Sequence, residues 1–394
     1  MSKRTLPRIN SRITCHTGYD ATSVLLGSNN MAAIDDSIHI NLYGIYLMIA
    51  CCIFTGNLSF ASDDLEELHI IDWHVHVAGL GHAGSGAFIN KQLRENYRFG
   101  FFLKWMDVTE DELAEQGDQI LFKKLHDKIS QSRYIDQAVV LALDGIIDEK
   151  TGEIDRQKTQ VYVPNDYVAR QTARYPTLLF GASINPNRGV ENSIALLEAV
   201  HEQGAVLVKW IPSIMYIDPS NTDFIPFYKR MAELDMPLLT HTGMEKAFTH
   251  ARDAYADPVL LELPLRYGVT VIAAHIATTG KSAGQDNFER ILPMFDKFPN
   301  LYTDISSLTQ FNKRGYLARA LKYPGLTDRM IYGTDWPLQS FPVVSPWYHV
   351  RHIGIRNAWR VSRIKNKWDR DIELKRAFGV PTSVFTRKLV ILHH

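Results

Sequence analysis

From residue 68 onward the chain alternates short apolar or β-branched runs with longer segments of helical period, and that alternation leaves few folds open. The runs are His69–Val77, Gln137–Asp144, Leu178–Asn185, Ala205–Ile211, Pro237–Thr242, Val269–Ile276, Leu301–Ser307 and Met330–Thr334. Runs that are near-continuously apolar, rather than apolar at every second position, belong to strands buried on both faces. Such strands form a parallel sheet whose outer face is covered by helices. The spacing predicts those helices at Ile194–Gln203, Ile225–Leu234 and Pro258–Tyr267, each ending close to the next strand. Eight βα units in about 325 residues specify an α/β architecture, a (β/α)8 TIM barrel, spanning residues 68–394. An insertion follows strand 1, from Ala78 to about Tyr134, and a C-terminal helical extension includes the charged stretch Lys365–Phe378. The insertion carries Arg94, Tyr97, Arg98, Phe101, Phe102 and Trp105, a content that suits either a lid over the barrel mouth or the packing of an extra helical pair.

The first 61 residues read differently. Residues 1–37 are rich in Ser, Thr, Asn and Gly and lack periodicity, as a disordered leader does. Leu42–Phe54 is a run of 13 uncharged residues. A membrane-spanning helix needs about 20 apolar residues, and a signal-peptide core about 7–15. Ser59-Phe60-Ala61 offers small residues for cleavage before Ser62, and Met48-Ile49-Ala50-Cys51 loosely resembles a lipoprotein attachment box. Against export stand the distance of Lys3, Arg4, Arg8 and Arg12 from the run and the acidic pair Asp35-Asp36 close to it. Two readings are open: a signal or membrane anchor that exports or tethers the protein through residues 42–54, or a disordered leader with an apolar patch on a cytoplasmic one.

Charge and cysteine content narrow the chemistry. With 43 basic and 43 acidic side chains the formal net charge is zero, which gives no electrostatic footprint for nucleic acid and favours a small-molecule substrate. The three cysteines, Cys15, Cys51 and Cys52, all precede residue 60, so any metal in the barrel must be held by His and carboxylates. Strand 1 ends in Asp72-Trp73-His74-Val75-His76, where alternation lets His74 and His76 face the barrel axis together and share one ion. Lys209 (V-L-V-K-W), His241 (L-L-T-H-T-G), His275 (V-I-A-A-H) and Asp335 (I-Y-G-T-D-W-P) fall at the ends of strands 4, 5, 6 and 8. Their separations of 32, 34 and 60 residues equal one, one and two βα units. All therefore sit at the C-terminal face, where barrel enzymes place catalytic groups. A single His at a strand end is usually a hydrogen-bonded rim residue, but four with an Asp on one face are hard to explain that way. Asp304 in strand 7 reads as a barrel-stabilising hydrogen-bond partner that also helps hold the site, with Asp72 and Asp144 in similar supporting roles. Trp73, Trp210 and Trp336, beside those strand ends, are candidate substrate contacts. Arg94 and Arg98, or Arg252 after strand 5, are candidate clamps for a substrate carboxylate.

Taken in order, D-W-H-V-H, T-H-T-G, A-A-H and Y-G-T-D-W-P resemble the amidohydrolase superfamily over about residues 68–390. The closest likeness is to its amidohydrolase-related branch of metal-dependent TIM-barrel hydrolases, which includes aminocarboxymuconate-semialdehyde decarboxylase. The resemblance implies metal ligation by His74, His76, His241 and Asp335, with His275 beside the activated water or substrate. It places Lys209 where some members carry a carboxylated lysine bridging two metals. One Zn2+ is the expected cofactor, with two ions if Lys209 is carboxylated and with another divalent metal as an alternative. Asp335 is then the general base and later the general acid, and His275 polarises the carbonyl or orients the water. The expected reaction is hydrolysis of an amide, ester or lactone of a small molecule. The alternative is decarboxylation of a small carboxylated substrate, and a third reading is a non-catalytic metal-containing binding protein. Specificity should lie in the βα loops, chiefly residues 78–134 and 212–224. Homodimers are common in this family, and the helices after residue 345 are where a second subunit would touch.

Overall fold

The computed structural model describes Leu65 and residues 68–389. The apolar run at 42–54, and with it the signal or anchor reading, lies outside the described residues. Eight strands form the barrel wall: β1 Ile70–His76, β2 Ile135–Leu141, β3 Leu178–Gly181, β4 Val208–Trp210, β5 Leu238–His241, β6 Val271–Ala274, β7 Leu301–Asp304 and β8 Met330–Ile331. Each pairs in parallel with its neighbour in sequence, as β1-β2-β3 and as β4-β5-β6-β7-β8. Two parallel bridges close the ring. Ala182 meets Val208 between β3 and β4, and Val75 meets Trp336 between β1 and the end of β8. The backbone bonds across that last seam are His76 N to Trp336 O at 3.0 Å and Asp335 N to His74 O at 2.9 Å.

The continuous apolar runs are explained by two distinct buried layers. Ile71, Trp73, Val139, Leu141, Leu207, Leu239, Ile272, Ala274 and Ile331 fill the barrel interior. Their neighbours Ala138, Val140, Val208, Leu238, Val271, Leu301 and Met330 face outward into the helix layer. Each fully buried Leu or Ile contributes about 1.5–3 kcal/mol relative to exposure. The outer layer meets Leu197 and Val200 of the helix Val190–Glu202, and Phe227, Tyr228 and Met231 of Ile225–Glu233.

Local chemistry adjusts some predicted boundaries. Strand 6 stops at Ala274, not Ile276, because His275, Ile276 and Ala277 all take positive φ (59°, 55° and 52°) and turn the chain. The helix expected over Pro258–Tyr267 divides into a 3-10 turn, Pro258–Leu261, and a helix, Glu262–Arg266. Pro264 has no N–H to donate to the carbonyl of Leu260, so it is accommodated in the first turn of a new helix and not in the interior of one running from Pro258.

The insertion holds four helices rather than a pair: Lys91–Arg94, Arg98–Met106, Glu110–Gln116 and Ile120–Ser130. Thr109 caps the third, whose first turn is acidic, as the helix dipole favours. Leu93, Phe99, Leu103, Met106 and Leu113 bury into the main core, so the insertion is packed structure. It also reaches the loops at the barrel mouth, through Arg98 Nη1 to Lys246 O at 2.6 Å and Trp105 Nε1 to Phe341 O at 3.1 Å.

The C-terminal extension locks the seam from outside. Asn366 caps the helix Lys367–Ala377, whose Trp368 donates to Asp72 Oδ2 at 2.8 Å. Lys375, fully buried, bonds Asp371 and the carbonyl of Gly333. Among the described residues no helix is long and apolar enough to cross a membrane.

Candidate active site

Regular alternation would put Trp73 and His74 on opposite faces of β1, yet both lie inside the barrel. The register shows why: Asp72 pairs with Ala138 and Val75 with Val140, three residues against two. This β-bulge shifts the side-chain phase. Ile71 and Trp73 therefore stay in the apolar interior, while His74 and His76 enter the interior one step nearer the C-terminal mouth. Asp72 remains outside, where Thr334 Oγ1 and Trp368 Nε1 both donate to it.

His74 is the hub. Its Nδ1 lies 2.7 Å from Asp304 Oδ2, and its Nε2 lies 3.0 Å from His76 Nε2 and 2.9 Å from Lys209 Nζ. Asp335 Oδ1 stands 3.5 Å from His74 Nε2 and 3.4 Å from His76 Nε2. Asp335 Oδ2 accepts from Ser307 Oγ, which is itself held by Gln310 Nε2 at 2.7 Å. His275 stacks on His74 with ring centroids 5.3 Å apart, and its Nδ1 is 2.7 Å from Ser306 Oγ. His241 approaches His275 edge-on at 5.4 Å, a consequence of the β5–β6 register that sets His241 opposite Ala274. Its buried Nε2 has no hydrogen-bond partner, the nearest acceptor being Glu245 Oε2 at 3.5 Å. One atom each from His74, His275 and Asp335 fall within 4.8 Å of one another, a grouping able to hold an ion.

Two glycines of the motifs are fixed by close approach. Gly243 in T-H-T-G has φ +89°, and a Cβ there would stand 2.7 Å from Thr279 O and 2.8 Å from Ala277 O. Gly333 in Y-G-T-D would set a Cβ 3.0 Å from that of His74. Asp335 itself has φ 61° and Ser307 58°, so with His275 three strand ends around the site hold a backbone conformation that costs of order 1 kcal/mol or more per residue.

The electrostatics suit metal binding. Burial, reinforced by Lys209, lowers the His74 pKa to about 4 against the pull of Asp304 and Asp335. Burial likewise lowers His241 and takes His275 well below its ordinary value. All three imidazoles are neutral at pH 7, the form that ligates metals. Burial pushes Asp335 and Asp304 upward, but the histidines around them, with hydrogen bonds, win, and both carboxylates ionise well below their usual range. Lys209, fully buried, is lowered by desolvation to about 8.

The side chains expected to contact substrate are placed as follows. Trp210 follows Lys209, so alternation turns it outward, where it packs against Phe227 and bonds Ile184 O. Trp336 stacks on Trp368 outside the seam, and Trp73 is sealed in the apolar interior. Arg94 pairs with Glu110 at the surface, Arg98 bonds the Lys246 carbonyl, and Arg252 lies 3.8 Å over the Tyr216 ring. The sequence reading also passes over Glu245, half-buried beside His241 in the loop after β5, and Lys313, buried in the loop after β7. Neither sits in a periodic segment, so only the proximity of Glu245 to the T-H-T-G motif hints at it.

A parallel eight-stranded barrel with neutral histidines and an ionised aspartate at its C-terminal mouth defines a metal-site barrel enzyme. The amidohydrolase family model matches residues 71–352, and the chain belongs to that family, whose members are metal-dependent enzymes acting on small molecules. No curated protein matches the chain. Among solved structures it is similar to a TIM-barrel protein of Bordetella bronchiseptica, at 18% identity and TM-score 0.48, over 79% of this chain and 97% of that one. It is also similar to a 5-carboxyvanillate decarboxylase of Sphingomonas paucimobilis (14%, TM-score 0.41, 81% and 99% covered). A 4-oxalomesaconate hydratase of Rhodopseudomonas palustris gives 14% and TM-score 0.38, with 79% and 98% covered. Likenesses this distant carry nothing about activity.

Proposed function

We propose that the protein is a hydrolase that cleaves an amide, ester or lactone of a small molecule with an activated water. We assign one Zn2+ to His74, His76, His241 and Asp335. Donors around a tetrahedral zinc at about 2.0–2.1 Å stand roughly 3.3 Å apart. The separations of 3.0, 3.4 and 3.5 Å among His74 Nε2, His76 Nε2 and Asp335 Oδ1 fit that arrangement. The orphaned Nε2 of His241 supplies a further donor with nothing else to bind. When bound, the ion supplies Lewis acidity that brings the pKa of water from about 15.7 towards 7.

The remaining roles belong to the chain. His74 Nδ1–H donates to Asp304 Oδ2, which leaves the Nε2 lone pair aimed at the donor cluster. Ser306 does the same for His275, whose Nε2 then faces Asp335 Oδ2 at 3.9 Å and can orient water or a carbonyl oxygen. Ser307 fixes the other side of the Asp335 carboxylate, which stays ionised at neutral pH and so can accept the proton of the attacking water. It then returns that proton to the leaving group, general base followed by general acid. The observation that carries this reading is the geometry of Asp335: one oxygen stands within 3.5 Å of two imidazole nitrogens and the other accepts from Ser307.

The test is a panel of lactones, esters, amides and carboxylated aromatics offered to zinc-loaded protein, with acid release and CO2 release followed in parallel. Acid release without CO2 is expected, and Asp335→Asn should lower it by about 10²–10⁴-fold with the fold intact. CO2 release from a carboxylated aromatic would replace hydrolysis by decarboxylation. Unchanged turnover in Asp335→Asn would remove the mechanism.

A further inference from the structure

Lys313 is a charged side chain at this mouth to which the hydrolytic mechanism gives no task. It ends a 3-10 turn, Phe311–Lys313, in the loop after β7, on the same barrel face as His275 and Asp335. The residue is 7% exposed. None of the hydrogen bonds or ion pairs within 4 Å among the described residues engages its ammonium, and the nitrogen is not sealed from solvent, so it can meet a ligand. The carboxylates whose charge it feels are Asp335, Glu245 and Asp304. Each is already engaged: Asp335 with Ser307 and the histidines, Asp304 with His74 and Ser306, and Glu245 with the Ala247 N–H at 2.6 Å. The Lys313 backbone N–H donates to Gln310 O at 3.0 Å, and the Gln310 side chain holds Ser307 against Asp335, so the turn sets this lysine beside the site with no counter-ion for its ammonium among the described residues.

We propose that this counter-ion is a carboxylate of the substrate, so that Lys313 is the substrate-binding residue that selects small molecules bearing a carboxylate near the bond to be broken. The proposal rests on the reading of this mouth as the active site and extends it to substrate class. It also explains how an anionic substrate is held when Arg94, Arg98 and Arg252 are committed elsewhere. Lysine acts here as a compact point charge, whereas a bidentate arginine would fix the plane of the carboxylate.

Binding rather than turnover tests this, so that failure of the hydrolase reading does not decide it. Zinc-loaded wild type, Lys313→Met and Lys313→Arg are titrated calorimetrically at pH 7 with benzoate, glutarate and citrate, and with the matching carboxamides. Metal content is measured on each protein. A charge-assisted hydrogen bond predicts that at least one carboxylate binds wild type about tenfold or more tighter than its carboxamide. That preference should fall by tenfold or more in Lys313→Met and be retained in Lys313→Arg, with metal content equal in all three. If the preference survives in Lys313→Met, the carboxylate sits on the metal alone and the proposal is overturned. Failure of every carboxylate to bind wild type at 10 mM, a concentration of roughly tenfold the weakest affinity expected, also overturns it. Should Lys313→Met not fold, Lys313→Gln takes its place, with the same loss of preference expected and the same survival of preference overturning the proposal.

Discussion

Replacing Asp304 by asparagine changes one atom's hydrogen-bonding sense at constant volume, and the surrounding donors dictate the consequence. Asp304 is fully buried. Its Oδ1 accepts from the backbone N–H of His275 at 3.0 Å, from that of Ser306 at 3.1 Å and from Ser306 Oγ. Its Oδ2 faces His74 Nδ1 alone, at 2.7 Å. An asparagine keeps most bonds by placing its oxygen at the Oδ1 position, which leaves its NH2 against His74 Nδ1. His74 must then accept at Nδ1 and carry its proton on Nε2, the atom that points at His76 and Asp335. The lone pair assigned to the metal is lost from the site unless the new amide rotates against three donors. Changes in such outer partners typically cost 10–100-fold in metal affinity, which is about 1.4–2.7 kcal/mol. Zinc affinity measured by competition with a chromophoric chelator should fall by that factor. Circular dichroism should show an unchanged fold, because every buried group keeps a partner. A folded Asp304→Asn protein with wild-type zinc affinity would refute the role given to Asp304 and the tautomer assigned to His74.

Other expectations concern the same frame. Lys209→Met removes the Nζ that lies 2.9 Å from His74 Nε2; metal content should stay at one ion per chain, whereas a fall from two would show a bridging carboxylated lysine. Leu239→Ala opens a cavity in the barrel interior, where Leu239 is fully buried, and should lower unfolding free energy by about 2–5 kcal/mol in a urea titration. A stability change below about 1 kcal/mol would mean the interior layer is loosely packed. Burial lowers the Lys313 pKa to about 8, opposed by Asp335, Glu245 and Asp304, and with Lys246, His241 and His275 as the other groups nearby. Carboxylate binding needs the protonated amine, so wild-type affinity should hold below pH 8 and weaken as pH rises through it. Affinity that is flat from pH 6 to 10 would exclude Lys313 from binding.

Much of the frame is legible in the sequence because a closed parallel barrel imposes apolar runs at a regular interval. The ends of β4, β5, β6 and β8 follow from that interval, which is how Lys209, His241, His275 and Asp335 can be placed on one face from residue spacing alone. The β1 motif is legible only in part. D-W-H-V-H pairs His74 with His76 by simple alternation, but nothing in it announces the bulge that also turns Trp73 inward. Trp210 and Trp336 show the reverse case: large aromatics beside site residues look suited to a ligand, yet alternation turns Trp210 onto Phe227, and Trp336 stacks on Trp368. Whether an arginine is free is decided by partners distant in sequence, as with Arg98 and the Lys246 carbonyl. Glu245 and Lys313 lie in loops, where side-chain direction follows no period.

The central claim is that His74, His76, His241 and Asp335 hold one metal ion, and elemental analysis of protein purified without added metal tests it most directly. Wild type should carry close to one zinc per chain. The His74→Ala/His76→Ala double variant, confirmed as folded by circular dichroism, should carry less than about a tenth of that, since two of four assigned ligands are gone. Metal-free wild type that does not take up zinc on reconstitution, or a double variant that retains a full equivalent, would contradict the claim.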